Sequence, residues 1–217
     1  MIDLNRVRQS DLWYAIGYIV ADGCLAKDGC HIDITSKDKK HLILLKRALY
    51  LRNKIGIKYR SNERIKPYYR LQFGDVNFYK YLLGIGIHQN KSLSLGEIKI
   101  NDAFFTDFLR GIIDGDGNIS TWIHTTNYNR QWCLRVYSAS PIFIKWLDDE
   151  IKNHFGIEGK LYSLKHDNKD NIIYRLKYGK KAAEIILKNI YYLGCLALER
   201  KALQAKACLQ NSNKMIH

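Results

Sequence analysis

Hydrophobic and polar positions along this chain follow one succession of periods twice, and the second pass begins 94 residues after the first, Gly17 to Gly111. Each pass opens with an apolar run at helical spacing that closes on a glycine, four residues, then Asp-Gly. The copies are Ala15-Ile16-Gly17-Tyr18-Ile19-Val20-Ala21-Asp22-Gly23 and Leu109-Arg110-Gly111-Ile112-Ile113-Asp114-Gly115-Asp116-Gly117. A strand pair is expected next. His31-Ile32-Asp33-Ile34-Thr35 alternates with Ile32 and Ile34 inward, and Cys133-Leu134-Arg135-Val136-Tyr137 repeats that alternation. Ser36-Lys37-Asp38 and Ser138-Ala139-Ser140-Pro141 then read as helix starts, with Asp38 and Ser140 as N-caps and Pro141 at the first helical position. The helices present Leu42, Leu45 and Leu49 in one copy and Ile144, Leu147 and Ile151 in the other. Both are expected to end near Gly-Ile, at Gly56-Ile57 and Gly156-Ile157.

A hairpin follows in each copy, and its return strands share Tyr-Arg-Leu in one phase: Tyr69-Arg70-Leu71 and Tyr174-Arg175-Leu176. Leu71 with Phe73, and Leu176 with Tyr178, face one side; Arg70 with Gln72, and Arg175 with Lys177, face the other. A last helix, predicted over 76–83 and 182–193, reaches Leu-Gly, and a lysine follows it at Lys91 or Lys201. The pattern predicts an α+β fold of two tandem αββαββα units with antiparallel sheets. The N-terminal half is assigned to residues 1–92, the C-terminal half to 106–217, and 93–105 to the linker.

Composition narrows the class. The chain has 217 residues, 47% of them hydrophobic, which is enough for a core. Lys and Arg number 35 against 21 Asp and Glu, a formal charge of +14, and the bases are spread along the chain. That suits a polyanion met over a long surface. Five cysteines without a Cys-x-x-Cys pair indicate neither a disulfide framework nor a zinc knuckle, so a reducing compartment inside a cell or organelle is expected. No membrane span or signal-peptide core is visible.

The glycines and acids suggest chemistry. A helix carrying Gly17 and Ala21 on one side, packed against one carrying Gly111 and Gly115, lets two backbones approach and would bring Asp22 and Asp116 together. Two carboxylates held side by side repel unless cations lie between them, which points to divalent metal. The outward strand faces supply DNA-contact candidates: Arg60, Arg64, Arg70 and Gln72 in the first half, and Arg130, Arg135, Lys165, Arg175 and Lys177 in the second. A solvated polar face is the bland explanation of any one of them; the repetition favours two basic sheets lying along a DNA major groove as a saddle.

These residues resemble the LAGLIDADG homing endonucleases in their single-chain, two-motif form. The resemblance covers essentially the whole chain, including residues 108–117 and the Leu-Gly-Ile ending over 83–92 with its Lys-Ser. The first motif departs from the family at Ala15 and Val20, while Asp22 and Asp116 both match the acid that holds metal. The resemblance implies metal-dependent hydrolysis of both strands of a long pseudo-palindromic DNA site by a monomer with no membrane association. It implies Asp22 and Asp116 as metal ligands, with the backbone carbonyls of Ala21 and Gly115 as further ligands, and Lys91 and Lys201 as the basic residues beside the scissile phosphates. Mg²⁺ is the expected cofactor, Mn²⁺ a substitute, and Ca²⁺ an ion that binds without supporting cleavage. Ser36 and Ser138 match a position that orders water, although a helix start explains both. Glu158-Gly159-Lys160 and Asn153-His154 lack the partners that other nuclease classes require, and the histidines, His31 and His41 among them, read as surface or DNA-facing groups. The alternative is a non-cleaving DNA-binding regulator or RNA maturase of the same fold. An intein is disfavoured by the ends of the chain, which read as freestanding and intron-encoded.

Overall fold

The computed structural model describes residues 2–60, 63–165 and 172–213, without the side chains of 59, 60, 63–66 and 211–213. Contacts gather the chain into two compact units. The first comprises Met1–Lys91, Ile98–Gly115 and Gly194–Ala197; the second comprises Ser92–Glu97, Asp116–Leu193 and Leu198–His217.

The first unit holds α1 (Gln9–Asp22), β1 (Gly23–Leu25), β2 (His31–Ser36), α2 (Lys39–Ala48), β3 (Ile55–Arg60), β4 (Glu63–Gly74), α3 (Val76–Gly84) and nearly all of α4 (Phe105–Asp116). Its antiparallel sheet runs β1-β2-β4-β3. Alternation places Ile32, Ile34, Leu71 and Phe73 on the buried face, where Leu42, Leu45 and Leu49 on and beside α2 join them. Leu12 to Val20 of α1 is buried at every position, as expected of a helix that is apolar all round. Asp75 caps α3, its carboxylate accepting from the Phe78 amide at 3.0 Å.

The helix over 39–48 stops eight residues before the Gly56-Ile57 boundary that the sequence suggests, because Tyr50 takes a left-handed backbone (φ 53°). The Tyr50 amide then bonds the Arg47 carbonyl and the Leu51 amide that of Lys46, which closes the helix, and Gly56 falls inside β3. Asp38 stands at the α2 N-cap without a side-chain cap bond, and the Ser36 hydroxyl accepts from the Asp38 amide at 3.2 Å.

The second unit repeats the sheet order with β5 (Gly117–Ile123), β6 (Arg130–Ser138), β7 (Lys160–Lys165) and β8 (Ile172–Tyr178), arranged β5-β6-β8-β7. Leu134, Val136, Leu176 and Tyr178 face α5 (Pro141–Phe155) and α6 (Lys180–Ile190), whose Ile144, Leu147, Ile151, Ile186, Leu187 and Ile190 are buried. Ser140 caps α5, accepting from the Phe143 amide at 3.2 Å, and Gly156 closes it in the left-handed region at φ 67°. The α6 helix ends at Ile190, short of the 193 expected. A further helix, α7 (Glu199–Asn213), has no counterpart in the αββαββα scheme. Cys133 also departs from the alternation: it shares the Arg135 side of β6 yet is fully buried. All five cysteines are free thiols, and no helix among the described residues is long and apolar enough to cross a membrane.

Candidate metal centre and nucleic-acid interface

The first unit builds its helix contact on missing side chains. A Cβ on Gly17 would lie 2.1 Å from the Phe108 carbonyl oxygen, and one on Gly111 would lie 2.2 Å from that of Tyr14. Only glycine allows α1 and α4 this backbone-to-backbone approach. A Cβ on Gly115 would meet the Ala21 Cβ at 2.3 Å and an Asp22 carboxylate oxygen at 3.5 Å, so Asp22 closes over the last turn of α4. Asp116 is the next residue in the chain.

Both aspartates are exposed and both end their helices. A helix C-terminus already carries partial negative charge, and neither α1 nor α4 has a basic residue in its last turn. A carboxylate there gains nothing from the helix dipole, and its hard oxygen donors suit a divalent cation of the magnesium class. Asp22 and Asp116 could each hold such an ion, and the carbonyls of Ala21 and Gly115 are oxygen donors one residue earlier in each helix.

Each helix end is met by a lysine of the same unit. Lys91 donates to the carbonyl of Gly23 in the first unit, and in the second Lys201, on α7, donates to that of Gly117 at 2.7 Å. Both side chains are buried, at 7% and 3% exposure, so these cations are anchored beside the motif rather than swinging in solvent. Behind Asp22, the Tyr18 hydroxyl donates to Ser36 Oγ at 3.2 Å. Burial, with the Asp22 carboxylate second, pushes the Tyr18 phenol far above its usual range, so it remains a protonated donor. Ser138 accepts from the Ser140 amide at 3.1 Å, as Ser36 does from Asp38, so both serines shape the start of a helix.

Buried polar groups that the linear pattern conceals lie deeper. Tyr14 donates to Asp114 at 2.6 Å and meets His41 Nε2 at 3.1 Å; His41 is 2% exposed, not the surface group expected. Arg110, fully buried, pairs with Asp107 at 2.6 Å and donates through Nε to the Leu196 carbonyl at 2.8 Å. These are cross-element contacts, and one-dimensional periodicity carries no signal for them.

On the first sheet, Arg70 pairs with Asp33 of the neighbouring strand and Gln72 is exposed. The side chains of Arg60 and Arg64 lie outside the described residues. On the second sheet, cross-strand register aligns Asn118, Arg135, Lys177 and Lys160 in one row, and Tyr137, Arg175 and Tyr162 in the next. Arg135 donates to Ser120 Oγ at 2.9 Å, and the Arg175 guanidinium lies 4.6 Å from the centre of the Tyr162 ring. Arg130 and Lys165 are exposed at the start of β6 and the end of β7, but alternation puts them on the opposite side of the sheet from Arg135 and Arg175, in phase with Leu134 and Leu176, so they do not join the outward row expected of them. A row of cations with interleaved rings offers charge to phosphates and flat surface to bases.

Residues 104–191 match the family model of the LAGLIDADG-like domain. Solved LAGLIDADG structures share the fold of this chain. Full-length DUF199/WhiA from Thermatoga maritima has 17% identity and a TM-score of 0.58, covering 94% of this chain; this chain spans only 61% of that one. The homing endonuclease I-WcaI, bound to its DNA recognition sequence, gives 12% identity and a TM-score of 0.63 over 92% of this chain and 87% of that one. I-DmoI in complex with DNA and calcium gives 17% and 0.56 over 90% and 97%, and variants of it have been solved with target DNA in the presence of magnesium or manganese. No curated protein sequence matches the chain.

Proposed function

We propose that this protein is a site-specific homing endonuclease, encoded within an intron, that hydrolyses both strands of a long pseudo-palindromic DNA target as a monomer inside a cell or organelle. The observation that carries the reading is the repeated helix end: an exposed aspartate closing a glycine-bearing helix, with a buried lysine on the carbonyl of the following residue, once in each copy of the motif. Two strands need two such ends. The residues assigned to the halves 1–92 and 106–217, joined by 93–105, would each address one half-site. The DNA seen with I-WcaI and I-DmoI, and the calcium, magnesium and manganese used with I-DmoI, support a DNA substrate and a divalent cofactor.

Asp22 and Asp116 would hold Mg²⁺, with the backbone carbonyls of Ala21 and Gly115 as further donors. The bound metal would supply an activated water and charge stabilisation for the attacking and leaving oxygens. Lys91 and Lys201 hold the helix ends in place and set a positive charge beside each carboxylate, where the anionic transition state develops. Tyr18 keeps the first aspartate oriented through its protonated hydroxyl. Arg70 and Gln72 on one sheet, and Arg135, Arg175 and Lys177 on the other, hold the duplex in register.

A second reading, a DNA-binding regulator or RNA maturase that does not cut, draws on the likeness to WhiA, whose fold matches over 94% of this chain. The joined exons that flank the gene should spell the target site. Purified protein is expected to linearise a plasmid bearing that site with Mg²⁺ or Mn²⁺ and to leave it intact in Ca²⁺ or EDTA. Tight binding of the same site with no cleavage in either activating metal would establish the second reading.

A further inference from the structure

The turn between β1 and β2 brings together three donors that the nuclease chemistry does not use. Asp28, Cys30 and His31 place a carboxylate oxygen, a thiol sulfur and a ring nitrogen within 4.8 Å of one another. His31 Nδ1 lies 2.6 Å from Asp28 Oδ2 and 3.2 Å from Cys30 Sγ. We propose that this turn is a binding site for a zinc-class divalent ion, with Asp28, Cys30 and His31 as ligands and a water in the fourth position.

The backbone is shaped for this convergence. The other Asp28 oxygen accepts from the amides of Cys30 and His31, each at 3.0 Å, which fixes the carboxylate over the turn. Gly29 supplies the left-handed residue, φ 78°, that the turn requires. The Cys30 carbonyl accepts from the Asp75 amide at 2.9 Å, tying the turn to the start of α3. Across the sheet His31 faces Gly74, where a Cβ would lie 3.2 Å from His31 Nε2 and 3.8 Å from Cys30 Sγ. The missing side chain is the floor on which the imidazole and thiol rest.

Donor type selects the ion. A sulfur, a nitrogen and an oxygen suit zinc and its neighbours, whereas magnesium takes oxygen alone. Around such an ion the donors stand about 3.3–3.6 Å apart. Reaching that spacing asks only small rotations of Asp28 and His31, whose side chains are about half exposed. Burial and the Asp28 carboxylate push the Cys30 thiol upward, so the metal-free site holds its proton. Metal binding forms the S–metal bond and releases that proton to solvent.

Cobalt(II) is the probe, because a thiolate ligand gives it a near-ultraviolet charge-transfer band that oxygen ligands do not. The purified full chain is expected to develop that band to saturation at one equivalent and to lose it on adding zinc. Cys30→Ser should abolish the band and His31→Asn should weaken binding at least tenfold, whereas Cys24→Ser and Asp22→Asn should leave it intact. Retention in Asp22→Asn separates this site from the nuclease centre, so each can fail alone. Circular dichroism confirms that the variants fold. No thiolate band in the folded wild-type protein, or a band that survives Cys30→Ser, would overturn the proposal.

Discussion

Asp22 and Asp116 sit where a carboxylate weakens a helix, at the negative end of the backbone dipole, a placement that fits the ligand role proposed for them better than a structural one. Asp22→Asn or Asp116→Asn is expected to lower cleavage by at least about 100-fold while leaving target binding within a factor of two. Stability by chemical denaturation should stay the same or rise by about 0.3–1 kcal/mol. A loss of folding stability would reassign the aspartate to the scaffold. Lys201 has the opposite profile: Lys201→Met strips the Gly117 carbonyl of its buried donor and should cost about 1–3 kcal/mol of stability, read in the same denaturation experiment. These acids and lysines were legible in the sequence because a duplicated spacing exposes them. His41 and Asp114 were not, since nothing local says that a histidine beside Leu42 meets a tyrosine 27 residues earlier, or that an acid on α4 reaches across to α1. Asp28, Cys30 and His31 escaped for a related reason: their convergence depends on a left-handed glycine and a glycine on the opposite strand.

At the scale of elements, the strands and the helix contact followed from period and glycine placement, and the departures have local causes. The α2 helix stops early because Tyr50 accepts a left-handed backbone that reads as forbidden for a tyrosine. The buried stripe of α7, which runs through Lys201, Ala205 and Cys208 and begins at the preceding Leu198, contains a lysine, and a charged residue in the apolar phase hides the helix from a periodicity reading. The glycine seam is the element-scale test. Gly111→Ala would force a methyl to within 2.2 Å of the Tyr14 carbonyl and 2.7 Å of the Tyr18 amide, both backbone atoms that cannot rotate away. A loss of about 3 kcal/mol in chemical denaturation is expected. Gly84→Ala, at a position open to solvent, is expected to change stability by less than about 1 kcal/mol. Equal effects at the two positions would refute the close approach of α1 and α4.

For the whole molecule, the charge of +14 would dominate the proposed attraction to DNA and make it sensitive to salt. If the two outward faces neutralise roughly eight phosphates, the logarithm of the binding constant should fall with that of salt concentration at a slope of about −7. Replacing Lys177 by Gln should make that slope shallower by about one while leaving base preference unchanged. Fluorescence anisotropy across a salt series measures both. The most direct test of the central claim is a crystal structure of the protein with its target duplex grown in calcium. The account predicts Ca²⁺ within about 2.3–2.6 Å of carboxylate oxygens of Asp22 and Asp116, beside the scissile phosphates. A complex whose aspartates hold no ion and lie away from the DNA backbone would contradict it.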